Sequence, residues 1–173
     1  MNNSFGKILR MTIFGASHAE ELGVVIDGVP SGIRLCAADF AKDLDRRRPH
    51  YRGETPRREE DIPMIDGVDA EGITIGDRVT ITFRNTNCKS GDYSHLVAHP
   101  RPSHADLTQR IKYGEEYNLA GGGMASGRMT VALVAAGVVA KKLLGGYHFE
   151  TRLVSVGGSR NEAEFESIIA DAR

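Results

Sequence analysis

Alternating apolar and polar residues predict three short β-strands in this chain. The clearest is residues 78–83, in which three apolar side chains alternate with threonines. Residues 8–14 and 24–26 predict two more strands. A loop bounded by glycines joins these two and carries Ser17 and His18.

Helical spacing predicts an amphipathic helix that begins at Ala37. It places Phe40 and Leu44 on one face, and Pro49 ends it, so that three arginines occupy its last turn. The charged stretch 49–63 has few apolar residues and cannot bury itself. It is predicted to be a surface loop or an ordered lid over a polar site.

Two more helices are predicted further along the chain. Ser103 could cap a helix over residues 104–113, and Gly114 would end it. Residues 130–144 are apolar on every face, so a helix there must be covered on all sides. In a globular domain this predicts a central helix packed between other layers.

The C-terminal residues predict one strand and one helix. The strand covers residues 149–156. The helix covers residues 161–173, in which Phe165, Ile168, Ile169 and Ala172 follow helical spacing. The chain then ends without a C-cap glycine or a polar tail.

The segment GGGMASGRMT, which we call the glycine loop (residues 121–130), is the strongest candidate for ligand binding. Three glycines allow positive φ and leave backbone N–H groups unshielded, as in anion-binding loops. Ser126 can cap the following helix, which would direct the helix N-terminus and Arg128 at one spot. The alternative is a flexible turn before a core helix, and it stays open on this segment alone.

Arginines are the densest charged residues of the chain. They are Arg46, Arg47, Arg48, Arg52, Arg57 and Arg58. The planar guanidinium binds carboxylate and phosphate oxygens in pairs, which suits a small polyanion. The alternative is a solvated face, in which these arginines pair with nearby acidic residues: Asp43, Asp45, Glu59, Glu60 and Asp61. The triplet at a helix end favours anion binding only slightly.

Two histidines are candidates for proton transfer. His18 lies in a loop between strands, and His104 lies at a predicted helix start. His95 and His99 have the spacing of zinc ligands, with His104 nearby, but prolines at 100 and 102 break the helix that this geometry needs. The glycine loop lacks the P-loop ending and the GxGxxG spacing, and no nucleophile elbow is present.

Composition limits the function classes. The chain has 173 residues, 40% of them apolar and 26% charged, which fits one globular domain. Its formal net charge of −1 argues against nucleic-acid binding. The longest apolar run is too short to span a bilayer, and no signal peptide is present. Cys36 and Cys88 are predicted to be reduced thiols, as in the cytoplasm.

Taken in order, these segments resemble the chorismate synthase family. The motifs are FGASH (residues 14–18), GVVIDGVPSG (23–32), DLDRRRP (43–49), TPRREED (55–61), RNTN (84–87), GDYS (91–94), RPSHAD (101–106), KYG (112–114) and the glycine loop. Single matches are weak, but this number in the right order is highly specific.

The resemblance implies a lyase of the shikimate pathway of aromatic amino-acid biosynthesis. The family converts 5-enolpyruvylshikimate-3-phosphate to chorismate by 1,4-elimination of phosphate. It requires reduced FMN although the reaction has no net redox change. NADPH, or a separate flavin reductase, is needed only to reduce the flavin.

The resemblance also implies roles for particular residues. His18 would assist the departing phosphate as an acid, and His104 would protonate or hydrogen-bond the reduced flavin. The substrate's anionic groups would contact Ser17, Arg47, Arg48 and Arg128. The flavin would contact Met124, Ala125 and Ser126. No metal is implied.

The implied fold is α+β, a β-α-β sandwich with central helices between two antiparallel sheets, assembled as a cytoplasmic tetramer. Family members are roughly twice as long as this chain, near the upper end of ordinary single domains. Residues 1–173 are therefore expected to be a single chorismate synthase-like domain that is incomplete at its C-terminus.

The chain departs from the family at Ala16, Ala19, Ser103 and Met124, where Glu, Gly, Gly and commonly Arg stand. Met124 bears on flavin affinity. Besides the enzyme, two functions stay open: a truncated, non-catalytic relative that binds flavin or anions, and a pure interaction domain.

Overall fold

The computed structural model describes residues 3–50, 57–87 and 99–172. The strands are β1 (Ser4–Phe5), β2 (Arg10–Gly15), β3 (Glu21–Asp27), β4 (Met64–Asp66) and β5 (Val79–Arg84). The helices are α1 (Ala37–Arg47), α2 (Asp106–Tyr113), α3 (Thr130–Leu143) and α4 (Phe165–Asp171). Short 3₁₀ turns cover Ala120–Ala125, Gly127–Met129 and Glu162–Glu164.

The strands form one antiparallel sheet in the order β1-β2-β3-β5-β4. Its centre pairs apolar residues of β3 and β5: Leu22 with Phe83, Val24 with Ile81, and Ile26 with Val79. Since side chains alternate along a strand, all six lie on one face, and each is fully buried. Burial of a side chain of this size stabilises the fold by roughly 1.5–3 kcal/mol.

Helix α3 packs between α1 and this apolar face of the sheet. Small side chains at Ala132, Ala135 and Ala136 are buried and let the neighbouring elements approach closely. The predicted central helix is thereby confirmed. The prediction that the helix is covered on all sides is wrong at Leu133. This side chain is 48% exposed, because α1 and the sheet cover only part of the helix circumference.

Helix α1 forms as the periodicity predicts. Phe40 and Leu44 face the core, and the helix ends at Arg47, just before Pro49. Asp39 begins it by accepting a hydrogen bond from the Cys36 N–H at 2.8 Å. The last turn of the helix therefore places Arg46 and Arg47 at the edge of the core.

The predicted strand at 149–156 is wrong. The structure gives this segment only an isolated bridge between Val156 and Ser159. Phe149 and Leu153 are 54% and 59% exposed, so their alternation does not reflect a buried face. A strand needs a partner for its backbone groups, and apolar content alone does not supply one.

Boundaries differ elsewhere by a few residues. The predicted strand 24–26 extends over all of β3, and the C-terminal helix is shorter than predicted because a 3₁₀ turn capped by Asn161 precedes α4. Strands β1 and β4 were not predicted, since two or three residues are too few to show alternation. The α+β class is confirmed, and within the described residues α1 and α3 share one hydrophobic core with one antiparallel sheet.

Among the described helices, none is both long and apolar enough to cross a membrane. The turn between β2 and β3, the end of α1 and the start of α3 come together near the glycine loop, and this meeting point holds the polar residues described next.

Candidate functional site

The glycine loop adopts the backbone that its sequence predicts. Gly121, Gly122 and Gly123 have φ values of 59°, 84° and 54°. A β-carbon on Gly121 would lie 2.1 Å from Nδ1 of His18 and 2.9 Å from Oγ of Ser17. Glycine is therefore required at 121 for its positive φ and because the His18 ring occupies the space that a β-carbon would fill.

Ser126 caps the turn that leads into α3, as predicted. Its Oγ accepts the Arg128 N–H at 3.3 Å, and its own backbone is extended. The side chain of Met124 packs against the hydrophobic core, and its N–H donates to the Tyr117 hydroxyl at 3.2 Å. Ser126 thus lines the cavity described below, while the Met124 side chain fixes the loop to the hydrophobic core.

A cavity of about 390 Å³ lies against the outer side of the glycine loop. We call it the loop cavity. It is lined by Arg101, Ser103, His104, Ala105, Asp106, Gly121, Gly122, Ala125, Ser126 and Gly127. His104 is exposed, and its Nδ1 donates to the Pro102 carbonyl at 3.1 Å, which leaves Nε2 as the acceptor in the neutral ring.

The predicted capping role of Ser103 is wrong. Ser103 has a φ of 61°, and α2 begins at Asp106 rather than at His104. The reason is a competing contact, in which the Asp106 carboxylate accepts the Arg101 N–H at 3.1 Å and its guanidinium at 2.8 and 2.9 Å. This guanidinium lowers the pKa of Asp106. His104 therefore lies in a turn braced by an ion pair.

On the inner side of the loop lies a group that we call the arginine–carboxylate cluster: Arg47, Arg57, Glu59, Asp61 and Arg128. Asp61 accepts from Nη1 of Arg128 through one oxygen and from Nη2 of Arg47, at 3.1 Å, through the other. The side chains of Asp61 and Arg128 are 1% and 5% exposed. This pair is buried and links the end of α1 to the start of α3.

Glu59 holds Arg57 in the same cluster. Its carboxylate accepts from Nε and Nη2 of Arg57 at 3.0 and 2.7 Å, and from the N–H and hydroxyl of Thr86 at 2.9 and 2.8 Å. Burial alone would raise the pKa of Glu59, but the Thr86 N–H and the Arg57 guanidinium outweigh it and lower the pKa to about 2. Glu59 is therefore ionised at neutral pH.

Arg57 in turn contacts the turn that carries Ser17 and His18. Its Nη1 donates to the Ser17 Oγ at 2.9 Å and its Nη2 to the Ser17 carbonyl at 3.0 Å. The Ser17 Oγ lies 3.2 Å from Nδ1 of His18. Asn85 adds a shared acceptor, since its Oδ1 receives Nη2 of Arg57 at 3.3 Å and Nε of Arg128 at 3.0 Å.

The structure separates the predicted arginines into different surroundings. Arg48 donates to the Glu60 carbonyl and lies 3.5 Å from Asp45, whereas Arg46 bonds Thr151 away from the cluster. Arg52 lies outside the described residues. The pairing alternative is therefore correct for several arginines, but the pairs with Glu59 and Asp61 are buried rather than solvated.

Two guanidinium nitrogens of the cluster are buried and have no hydrogen-bond partner among the described residues. They are Nε of Arg47 and Nη2 of Arg128. A buried donor without an acceptor is costly, at about 1–3 kcal/mol. These two N–H donors are therefore not satisfied by the carboxylates of the cluster and could donate to a further acceptor.

Sequence reasoning named Arg57 only as one of the clustered arginines and Glu59 and Asp61 only as solvated pairing partners, and it assigned no role to Asn85. A usable signal was present, because Arg57, Glu59 and Asp61 occur at every second position; the structure buries Glu59 and Asp61 and half-buries Arg57, whereas Arg58 and Glu60 are exposed. In an extended segment such residues share one face. The charged stretch thus alternates between inward and outward charged side chains up to Asp61, where φ turns positive.

The zinc interpretation finds no support in the described part of the chain, where no three His, Cys, Asp or Glu residues gather into a metal site. His95 lies outside that part. Cys36 is a free, exposed thiol.

The fold and the site define the class of the protein. It is an α+β protein in which the arginine–carboxylate cluster and the turn that carries His18 lie against the glycine loop, which also lines the loop cavity with His104. The family model for chorismate synthase matches residues 9–171. The chorismate synthase of Chitinophaga pinensis is 48% identical over 157 residues, which cover 90% of this chain and 47% of the relative. That of Methanococcus aeolicus is 43% identical over 167 residues, covering 92% and 44%.

A solved structure described as a crystal structure of chorismate synthase superposes with a TM-score of 0.54 at 28% identity, covering 80% of this chain and 34% of that one. The chain belongs to the chorismate synthase family. It spans about half the length of the curated relatives that it matches.

Proposed function

We propose that the protein acts as a chorismate synthase, a carbon–oxygen lyase that forms chorismate from 5-enolpyruvylshikimate-3-phosphate. The observation that carries this proposal is the junction at Gly121, where Ser17 and His18 contact the same loop that lines the cavity of His104. The chorismate synthase relatives support it over a non-catalytic flavin-binding module.

The proposed substrate carries two carboxylates and a phosphate, and the arginine side of the site suits it. Arg47, Arg48 and Arg128 are proposed to bind its anionic groups. The buried donors of Arg47 and Arg128 supply unused hydrogen bonds, and guanidinium groups match planar carboxylates and phosphates. Ser17, held by Arg57, would orient His18 beside the nearest anionic group.

The elimination breaks the carbon–oxygen bond to phosphate and a carbon–hydrogen bond at the carbon in the 1,4 relation. The phosphate leaves with the carbon–oxygen electrons, and the carbon–hydrogen electrons form the new double bond. The proton lost from carbon is balanced by the proton that the phosphate carries away as hydrogen phosphate, so atoms and charge balance without net oxidation. His18 is proposed to give a proton to the departing phosphate oxygen. Its ring is fixed between Ser17 and Gly121, which limits the orientations it can adopt.

The glycine loop fits a flat anionic cofactor such as FMN. Glycines at 121 and 122 bring bare backbone to the cavity wall, and Ser126 and Ser103 add hydroxyl groups. Ala125, Ser126 and the backbone of Met124 are proposed to hold FMN, with His104 hydrogen-bonded to it. When bound, reduced FMN supplies an electron-rich ring and is not consumed, since the elimination has no net redox change.

Further parts of the proposal follow the family. The protein is proposed to be cytoplasmic and to assemble as a homotetramer. A separate reductase, or NADPH used by the protein itself, would keep the flavin reduced.

An anaerobic assay with reduced FMN and the enolpyruvyl substrate tests the activity, and we expect chorismate to form. Arg47→Ala should abolish most turnover. The control Arg58→Ala removes the same charge at an exposed position and should retain turnover. A flavin fluorescence titration runs in parallel. Flavin binding without product would identify a non-catalytic relative. No binding of either ligand, with no effect of Arg47→Ala, would identify an interaction domain.

A further inference from the structure

We infer that Arg57 is a positioning residue that acts through Ser17 to keep the neutral His18 ring protonated on Nε2. The catalytic consequence rests on the proposed function, in which His18 is the acid. The tautomer itself is a property of this chain and can be measured without turnover.

Arg57 is held firmly enough to direct a neighbour. Glu59 receives two of its nitrogens, at 3.0 and 2.7 Å, and is itself fixed by Thr86 at 2.9 and 2.8 Å. Asn85 receives Nη2 of Arg57 at 3.3 Å. With these bonds in place, the guanidinium presents Nη1 to the Ser17 Oγ at 2.9 Å.

A hydroxyl oxygen that accepts from a cation becomes a stronger donor, because hydrogen bonds in a chain polarise one another. Ser17 is 1% exposed, so bulk water does not weaken this effect. The atom 3.2 Å from its oxygen is Nδ1 of His18. The favoured arrangement is therefore a chain in which Arg57 donates to Ser17 and Ser17 donates to Nδ1.

A neutral imidazole carries its hydrogen on one nitrogen only, and a nitrogen that accepts a hydrogen bond cannot carry it. Acceptance at Nδ1 thus places the hydrogen on Nε2. The ring cannot easily turn over to exchange the two nitrogens, because Gly121 packs directly against Nδ1 and Cε1. The chain from Glu59 to His18 therefore keeps the single hydrogen of the neutral ring on Nε2, the nitrogen that would donate a hydrogen bond to the leaving phosphate oxygen. Proton transfer itself uses the imidazolium form, which carries a hydrogen on both nitrogens.

The test is long-range ¹H–¹⁵N NMR of the ¹⁵N-histidine-labelled protein at about pH 8.5, where an ordinary imidazole is neutral. In the wild type we expect His18 to be protonated at Nε2. Arg57→Gln should lower the ratio of the Nε2–H to the Nδ1–H form by about fivefold, the worth of one hydrogen bond. Arg57→Lys should restore most of the ratio, and the control Arg58→Gln should leave it unchanged.

Ser17→Ala gives an independent result should Arg57→Gln fail to fold, and the same loss of preference is expected. Protonation at Nδ1 in the wild type would overturn the inference. So would an unchanged ratio in folded Arg57→Gln or in Ser17→Ala. A wild-type Nε2–H ring that depends on Arg57, in a protein that makes no chorismate, would overturn the proposed function and leave this inference standing.

Discussion

Replacement of Asp61 by Asn tests whether the buried ion pair of the arginine–carboxylate cluster stabilises the fold. Asparagine has the shape of aspartate and accepts positive φ even more readily, so the φ of 52° at this position is kept. The change removes the negative charge and leaves the rest of the residue in place. Arg128, whose side chain is 5% exposed, then loses its charge partner.

Loss of one partner from a buried ion pair destabilises a protein by about 3–5 kcal/mol. The lower end applies here, because the second partner, Arg47, is 21% exposed and can recover hydration. With a urea m-value of about 2 kcal/mol/M, a loss of about 3 kcal/mol lowers the unfolding midpoint by about 1.5 M. Urea unfolding followed by far-UV circular dichroism measures this shift.

Asp45→Asn is the matched control. Asp45 carries the same charge and lies 3.5 Å from Arg48, but its side chain is 60% exposed. An exposed pair contributes less than about 1 kcal/mol, so its midpoint should move by less than about 0.5 M. Equal midpoints for the two variants would refute the view that the Asp61 pair is a buried and stabilising contact.

Three further changes probe the site and the core. The folded-state pKa of Glu59, about 2, lies below its ordinary value of 4.5, so its contribution is present above about pH 4.5 and is lost as the pH falls towards 2. Glu59→Gln should therefore destabilise the folded protein by at most about 3 kcal/mol at pH 7 and by less at pH 3. An equal difference in urea midpoint between wild type and variant at both pH values would contradict this. Gly121→Ala should cost at least about 1–2 kcal/mol and weaken flavin binding. Gly137→Ala, in α3 with open space around its β-carbon and outside the loop cavity, should do neither in the same urea and flavin titrations. Ala136→Leu should overpack the core, and a thermal melt should show a loss of about 1–3 kcal/mol that Leu133→Ala, at an exposed position, does not reproduce.

The predictions that succeeded rest on local signals. Phe40 and Leu44 define one helical face within a single segment, and Pro49 ends that helix, so α1 needed no knowledge of its partners. The positive φ of Gly121 and the cap at Ser126 are likewise encoded within a few residues. Elements of this kind can be predicted because the residues that determine them are neighbours in the chain.

The predictions that failed depend on side-chain contacts that residue type alone does not reveal. Asp61 pairs with Arg47 across 14 positions and with Arg128 across 67, and nothing local indicates which arginine a carboxylate will meet. Ser103 has the residue type of a helix cap, but the Arg101–Asp106 contact displaces the helix start. The roles of His18, His104 and the other predicted site residues stay predictions.

Asn85 has a thermodynamic consequence for any two anionic groups that bind Arg57 and Arg128 within the arginine–carboxylate cluster. Its single side-chain oxygen serves Arg57, on the Ser17 side, and Arg128, at the start of α3. An anion that draws one guanidinium away strengthens the other's hold on that oxygen. Such coupling is reciprocal, so the first ligand changes the affinity for the second by the same factor as the second changes the affinity for the first. A dissociation constant for either ligand therefore has meaning only at a stated concentration of the other.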